Sequence, residues 1–161
     1  MKLRDFEKDL EKGQEAEKIV AASFAAKNPG WVVEEVGNVK EYYHRGDIKI
    51  TNKETGEERF IEVKNDSRTA NSHCFLCEES VSYADGYIVD GNMYSNYDIY
   101  AVYAAQEARI YYIDFSLLVK HYKAGEFKVI PHSQQTTYAY IVDLAQIKSW
   151  GALMGITELN F

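Results

Sequence analysis

The sequence predicts an α/β domain in which a central mixed β-sheet is flanked by helices, with a long N-terminal helix followed by a β-meander. Three observations predict it. The first 26 residues carry apolar side chains at helical spacing and stop at the breaker Asn28-Pro29-Gly30. From Trp31 onward, short stretches alternate with period two between turn-forming segments. Two aspartates, Asp114 and Asp143, stand where a strand-like stretch gives way to a helical one. The coexistence of the two periods separates an α/β chain from an all-helical or all-strand one.

The first helix is expected over about Leu3 to Ala26. Phe6, Leu10, Gly13, Val20 and Phe24 follow the steps of four and three that keep one face toward a core. Glu17 fills the remaining slot of that stripe, whereas Glu11, Glu15 and Lys18 fall away from it. A carboxylate on a buried stripe needs a partner, because an unpaired buried charge is costly.

Trp31 to Val36 reads as a strand and Asn38 to Tyr43 as a connection. Arg45–Thr51 and Glu58–Asn65 then alternate around Asn52-Lys53-Glu54-Thr55-Gly56-Glu57, which reads as a hairpin turn. Pairing Ile48 with Ile61 gives the best apolar match, and it centres the turn between Glu54 and Thr55. It also sets Asp47 opposite Glu62. Alternation then places Asp47, Glu62 and Lys64 on one face, and Ile48, Ile50, Ile61 and Val63 on the other, toward the core.

Further strands are expected at His73–Glu78, Gly86–Asp90, Tyr97–Tyr103 and Arg109–Ile113. Asp114 caps a helix Phe115–Lys123 that stops at Gly125. A strand Thr137–Val142 and a short helix begun by Asp143 complete the chain, and residues 1–161 read as a single domain without an interdomain linker. Seven tyrosines fall between Tyr94 and Tyr122, and strand propensity accounts for most of them without a base-stacking role. Asp114 and His121 can be read as part of some other hydrolase site, but their spacing fits a capped surface helix better.

Composition narrows the class. Hydrophobic residues make up 46% and charged residues 27%, an ordinary globular balance. No apolar run approaches the roughly 20 residues of a membrane span, and the charged start MKLRDFEKDLEK has no apolar signal stretch behind it. A cytoplasmic protein without membrane partners is therefore expected. Cys74 and Cys77 lack a second Cys/His pair at zinc-ligand spacing and read as small apolar strand residues. The net charge of −7 argues against a protein that coats nucleic acid. Residues 40–68 hold seven basic and seven acidic side chains, so no basic stripe offsets that charge.

Two opposed carboxylates repel unless a cation lies between them, and hard oxygen ligands of this kind suit Mg²⁺ or Mn²⁺. A metal there can polarise a phosphodiester and lower the pKa of a bound water. Lys64 can orient that water or stabilise developing charge, the Val63 carbonyl is a further oxygen ligand, and Glu17 adds a carboxylate if its helix packs beside the hairpin.

The order of helix with Glu17, strand with Gly46-Asp47, hairpin, then Glu62-Val63-Lys64 resembles the PD-(D/E)XK nuclease superfamily. In its resolvase-like branch the first helix often reads Gly-x-x-Ala-Glu, matched here by Gly13-Gln14-Glu15-Ala16-Glu17. The resemblance covers about residues 13–66. It implies a restriction-endonuclease-like fold and hydrolysis of DNA in a Mg²⁺- or Mn²⁺-dependent reaction, as in repair, recombination or phage DNA processing. Asp47 and Glu62 would be metal ligands, joined by the Val63 carbonyl and by Glu17, with Lys64 the catalytic lysine. Such nucleases often pair to cut both strands, so a homodimer is a further expectation. Gly46 departs from the proline of the family's name. Beyond the motif, Asp66 shares the Glu62 face if the strand continues, and Arg68, Asn71 and His73 are candidates for substrate contact, with Glu78 beside them. The competing expectation is a catalytically silent nuclease-like domain serving as a protein-interaction or nucleic-acid-binding module.

Overall fold

A computed structural model describes residues 6–42, 45–65, 74–82, 88–90, 96–126, 128–130 and 137–159. The chain opens with helix α1 (Phe6–Lys27), whose end is closed by Asn28, its side-chain amide donating to the Phe24 carbonyl at 3.0 Å. Strand β1 (Trp31–Glu35), a 3-10 turn (Lys40–Tyr42), β2 (Ile48–Asn52) and β3 (Glu58–Asn65) follow. Next come β4 (Cys74–Ser82), β5 (Ile88–Asp90), β6 (Ile99–Ala104) and β7 (Arg109–Asp114). Helix α2 (Phe115–Lys123), β8 (Lys128–Ile130), β9 (Thr137–Asp143), helix α3 (Leu144–Ser149) and β10 (Leu153–Glu158) complete the order.

Six strands form a mixed sheet in the order β1-β2-β3-β6-β7-β10, parallel only where β3 meets β6. A second, antiparallel sheet runs β5-β4-β9-β8. The mixed α/β architecture with a long first helix and a β1-β2-β3 meander is as expected, but the strands divide between two sheets rather than one. Strand β10 was not expected at all. Its segment is interrupted by Gly155, where the register shifts, so pairing with β7 does more than local alternation to make it a strand.

Each face of the six-stranded sheet is covered. On one side Ala16, Val20 and Ala21 of α1 meet Ile48, Ile50, Ile61, Val63, Ile99, Ala101, Ile110 and Tyr112. On the other, Phe115 and Leu118 of α2 and Ile147 of α3 meet Tyr100, Val102, Tyr111 and Ile113. Burying each such Val, Leu, Ile or Phe is worth roughly 1.5–3 kcal/mol. Tyr100, Tyr103, Tyr111 and Tyr112 are therefore core residues of β6 and β7, as strand propensity implies, while Tyr94 lies outside the described residues.

The first helix is buried over a shorter stretch than its stripe predicts. Leu10 is 52% exposed, because sequence spacing selects a face but not the point where the partner sheet ends. Helix α2 follows its expectation closely: Asp114 caps it by accepting from the Leu117 N–H at 3.2 Å, and Gly125 takes the left-handed conformation after it at φ 74°. His121 of that helix stacks on Trp150 at 4.3 Å between ring centroids, so Asp114 and His121 have structural work. No helix among the described residues is long and apolar enough to cross a membrane.

Candidate active site

The hairpin register is the expected one, with Ile48 opposite Ile61. Strand β2 begins one residue later than Asp47, and that small fact shapes the site. The Asp47 N–H donates to the Ile61 carbonyl at 2.9 Å, and the Val63 N–H donates to Asp47 Oδ2 at 2.8 Å. A carboxylate thus takes the place of the next backbone acceptor of β2. Because that bond lies in the plane of the sheet, the Asp47 carboxylate sits in a notch at the end of β2 and is reached from both faces. A residue of a strand directs its N–H and C=O to the same side, so the Val63 carbonyl faces this notch as well.

The expected sharing of one face by Asp47, Glu62 and Lys64 is modified accordingly. Ile61 and Val63 lie on the α1 face, and Glu62 and Lys64 lie on the opposite one. Glu17 reaches Asp47 from the α1 face, in hydrogen-bond contact with it, and Glu62 makes the equivalent contact from the other face. Asp47 is the residue common to both. The Lys64 ammonium lies 3.4 Å from Glu62 Oε1, with the Glu62 side chain 13% exposed.

The electrostatics follow from that crowding. Glu62 is raised from 4.5 to about 8, chiefly by burial and then by the charge of Asp47, against the opposing pull of Lys64. Glu17 is raised to about 7 by burial, by Asp47 and by Glu35. Three carboxyl groups in contact cannot all ionise cheaply near neutral pH. Among the described residues no group of three or more His, Cys, Asp or Glu is arranged to hold a metal as it stands. The carboxyls meet as two pairs sharing Asp47.

Two glycines fit this geometry. Gly46 has a φ of 136°, and a Cβ there would lie 2.9 Å from the Ile61 carbonyl oxygen. Proline, whose ring holds φ near about −65°, is excluded at this position, which explains the departure from the motif's usual residue. Gly37, after β1, leaves space beside the acids: a Cβ there would lie 3.4 Å from Glu17 Oε2 and 3.7 Å from Asp47 Oδ1. Sequence reasoning missed both Gly37 and Glu35. The run Glu34-Glu35-Val36-Gly37 next to a predicted strand end was the available signal. The remaining candidates Asp66, Arg68, Asn71 and His73 lie outside the described residues; Glu78 lies in β4, a strand of the second sheet.

Comparison with known proteins gives two similarities. The family model for the C-terminal region of Protein NO VEIN matches residues 16–113, a span that includes Glu17, Asp47, Glu62 and Lys64. The solved structure of a nuclease from a fusselovirus is similar at a TM-score of 0.45 and 9% identity, over 93% of this chain and 94% of that one. No curated protein matches the chain.

Proposed function

The chain belongs to the family of the C-terminal region of Protein NO VEIN, and from the site within the matched span we propose that it is a metal-dependent deoxyribonuclease of PD-(D/E)XK type. The observation that carries this reading is the position of Asp47, in a notch of the sheet where it touches Glu17 and Glu62 while Lys64 stands 3.4 Å from Glu62. A structural salt bridge needs one acid and one base. It does not need two further acids, Glu17 and Glu62, each raised by burial and by the charge of Asp47.

The donor set fits a hard divalent cation. Asp47, Glu62 and the Val63 carbonyl would hold Mg²⁺ or Mn²⁺, with Glu17 as a further carboxylate beside the space that Gly37 leaves open. When bound, such an ion polarises a phosphodiester and makes hydroxide available near neutral pH. Lys64 supplies a positive charge where negative charge builds on the phosphoryl oxygens. Asp47 is fixed at both its N–H and its Oδ2, which limits where its other oxygen, Oδ1, can meet the ion. Glu62 enters the reaction as a carboxylate, so loading the site releases a proton that Glu62 otherwise keeps to about pH 8.

The net charge of −7 favours a second reading, in which the domain is catalytically silent and binds a protein partner. Cleavage of linear, nicked and four-way-junction DNA with Mg²⁺ or Mn²⁺, against a chelator control, separates the two. Metal-dependent cleavage of any of them supports the nuclease. Absence of cleavage on all of them, with no Mn²⁺ binding by calorimetry, supports the silent module.

A further inference from the structure

Five cations lie on the hairpin and its approach: Lys53 stands in the exposed turn, and three of the other four are paired. Lys49 lies 3.0 Å from Glu58 Oε1 and donates to the Tyr42 hydroxyl at 3.4 Å, Arg59 lies 3.0 Å from Glu57 Oε1, and Lys64 lies beside Glu62. Arg45 is different. It is exposed, its guanidinium carbon stands 4.3 Å from the centroid of the Phe60 ring, and among the described residues it has no carboxylate partner.

Its platform is rigid. Phe60 is fully buried, its N–H donates to Asp98 Oδ2 at 2.8 Å, and its carbonyl accepts from the Asp98 N–H at 3.0 Å. The Arg45 backbone is held as well: its N–H donates to the Tyr42 carbonyl at 2.9 Å, and the conformationally restricted Gly46 and the anchored Asp47 follow it. Stacking orders a guanidinium without neutralising it, and leaves its in-plane N–H edge free. That edge is a planar fork that matches two oxygens of a phosphate.

Position gives the fork its role. Phe60, Glu62 and Lys64 share one face of β3, at intervals of about 7 Å for every second residue. Arg45 over Phe60 therefore continues the row of Glu62 and Lys64 along the same face, at a spacing comparable to that of neighbouring phosphates on one strand. We infer that Arg45 is a substrate-positioning residue that grips a DNA phosphate next to the scissile one, with Phe60 as its platform; this rests on the nuclease reading above. In a chain of net charge −7, a cation left unpaired beside the acids offsets the repulsion that the substrate meets there.

The test is steady-state cleavage of a fluorescent DNA duplex in saturating Mn²⁺ over a range of KCl concentrations. Arg45→Met keeps an unbranched cover over Phe60 and removes the charge. It should raise KM about tenfold, leave kcat within about twofold, and reduce the slope of log affinity against log salt by about 0.9, the contribution of one phosphate contact. Arg45→Lys should restore the slope but only part of KM, and Phe60→Leu should raise KM with Arg45 still present. Melting temperature and Mn²⁺ affinity of Arg45→Met should match the unmodified protein. An unchanged KM and salt slope in Arg45→Met, or a loss of Mn²⁺ affinity or melting temperature in their place, overturns the inference while leaving the nuclease reading intact. No cleavage by the unmodified protein overturns both.

Discussion

Raising the pH in the presence of a chelator should lower the melting temperature of this protein, and a divalent cation should prevent much of that loss. Glu62 and Glu17 have folded-state values raised from 4.5 to about 8 and about 7. A raised value means that the folded chain holds protons the unfolded chain has released. The stability tied to these groups is therefore complete below about pH 4.5 and lost as the pH rises through 7 to 8. At about 1.4 kcal/mol for each tenfold change in proton affinity, ionising Glu62 alone costs the fold on the order of 5 kcal/mol, most of it above about pH 5. Glu17 shares the same repulsion from Asp47, so its cost does not simply add. For a chain of this size about 1 kcal/mol corresponds to roughly 2–4 °C, so melting should fall by about 10 °C between pH 5 and pH 9 in chelator. Thermal unfolding followed by circular dichroism at each pH, with EDTA or saturating Mn²⁺, measures it. Glu62→Gln has no proton to lose and should flatten most of the slope, with little further response to Mn²⁺. Equal slopes in Glu62→Gln and the unmodified protein would refute the electrostatic account.

Three further outcomes follow from the same geometry. Gly46→Ala should destabilise by about 2–4 kcal/mol in urea unfolding, since a Cβ meets the Ile61 carbonyl at 2.9 Å at a φ of 136°. Gly37→Leu should weaken Mn²⁺ binding in calorimetry at least tenfold by filling the space beside Glu17 and Asp47, while melting changes little, because Gly37 has no left-handed backbone to lose. Asp47→Asn keeps an oxygen to accept the Val63 N–H but removes a carboxylate from the site; it should retain the fold and lose Mn²⁺ binding and cleavage together.

Much of the site was legible because it is built from local periodicity. The isoleucine and valine positions of the hairpin select its buried face, and the observed pairing of Ile48 with Ile61 is the one expected to set Asp47 beside Glu62. Glu17 was legible as the one charge on an apolar helical stripe, and its contact with Asp47 supplies the partner that its position demanded. What stayed hidden depends on where chain segments meet in space. The overhang that exposes Leu10, the edge strand carrying Gly155, and the approach of Gly37 and Glu35 to Glu17 each depend on a distant segment, and no local spacing encodes them. The in-plane turn of Asp47 was also invisible, because alternation assigns faces only to residues that continue a strand.

The most direct test of the account compares DNA cleavage by the unmodified protein and by Lys64→Ala at saturating Mn²⁺, with metal binding and folding measured on both. Lys64 stands beside Glu62 but cannot itself hold a cation, so its loss should lower the rate by a factor of about 10² to 10³ while the fold persists and Mn²⁺ binds no more weakly. Unchanged cleavage by Lys64→Ala would contradict the account.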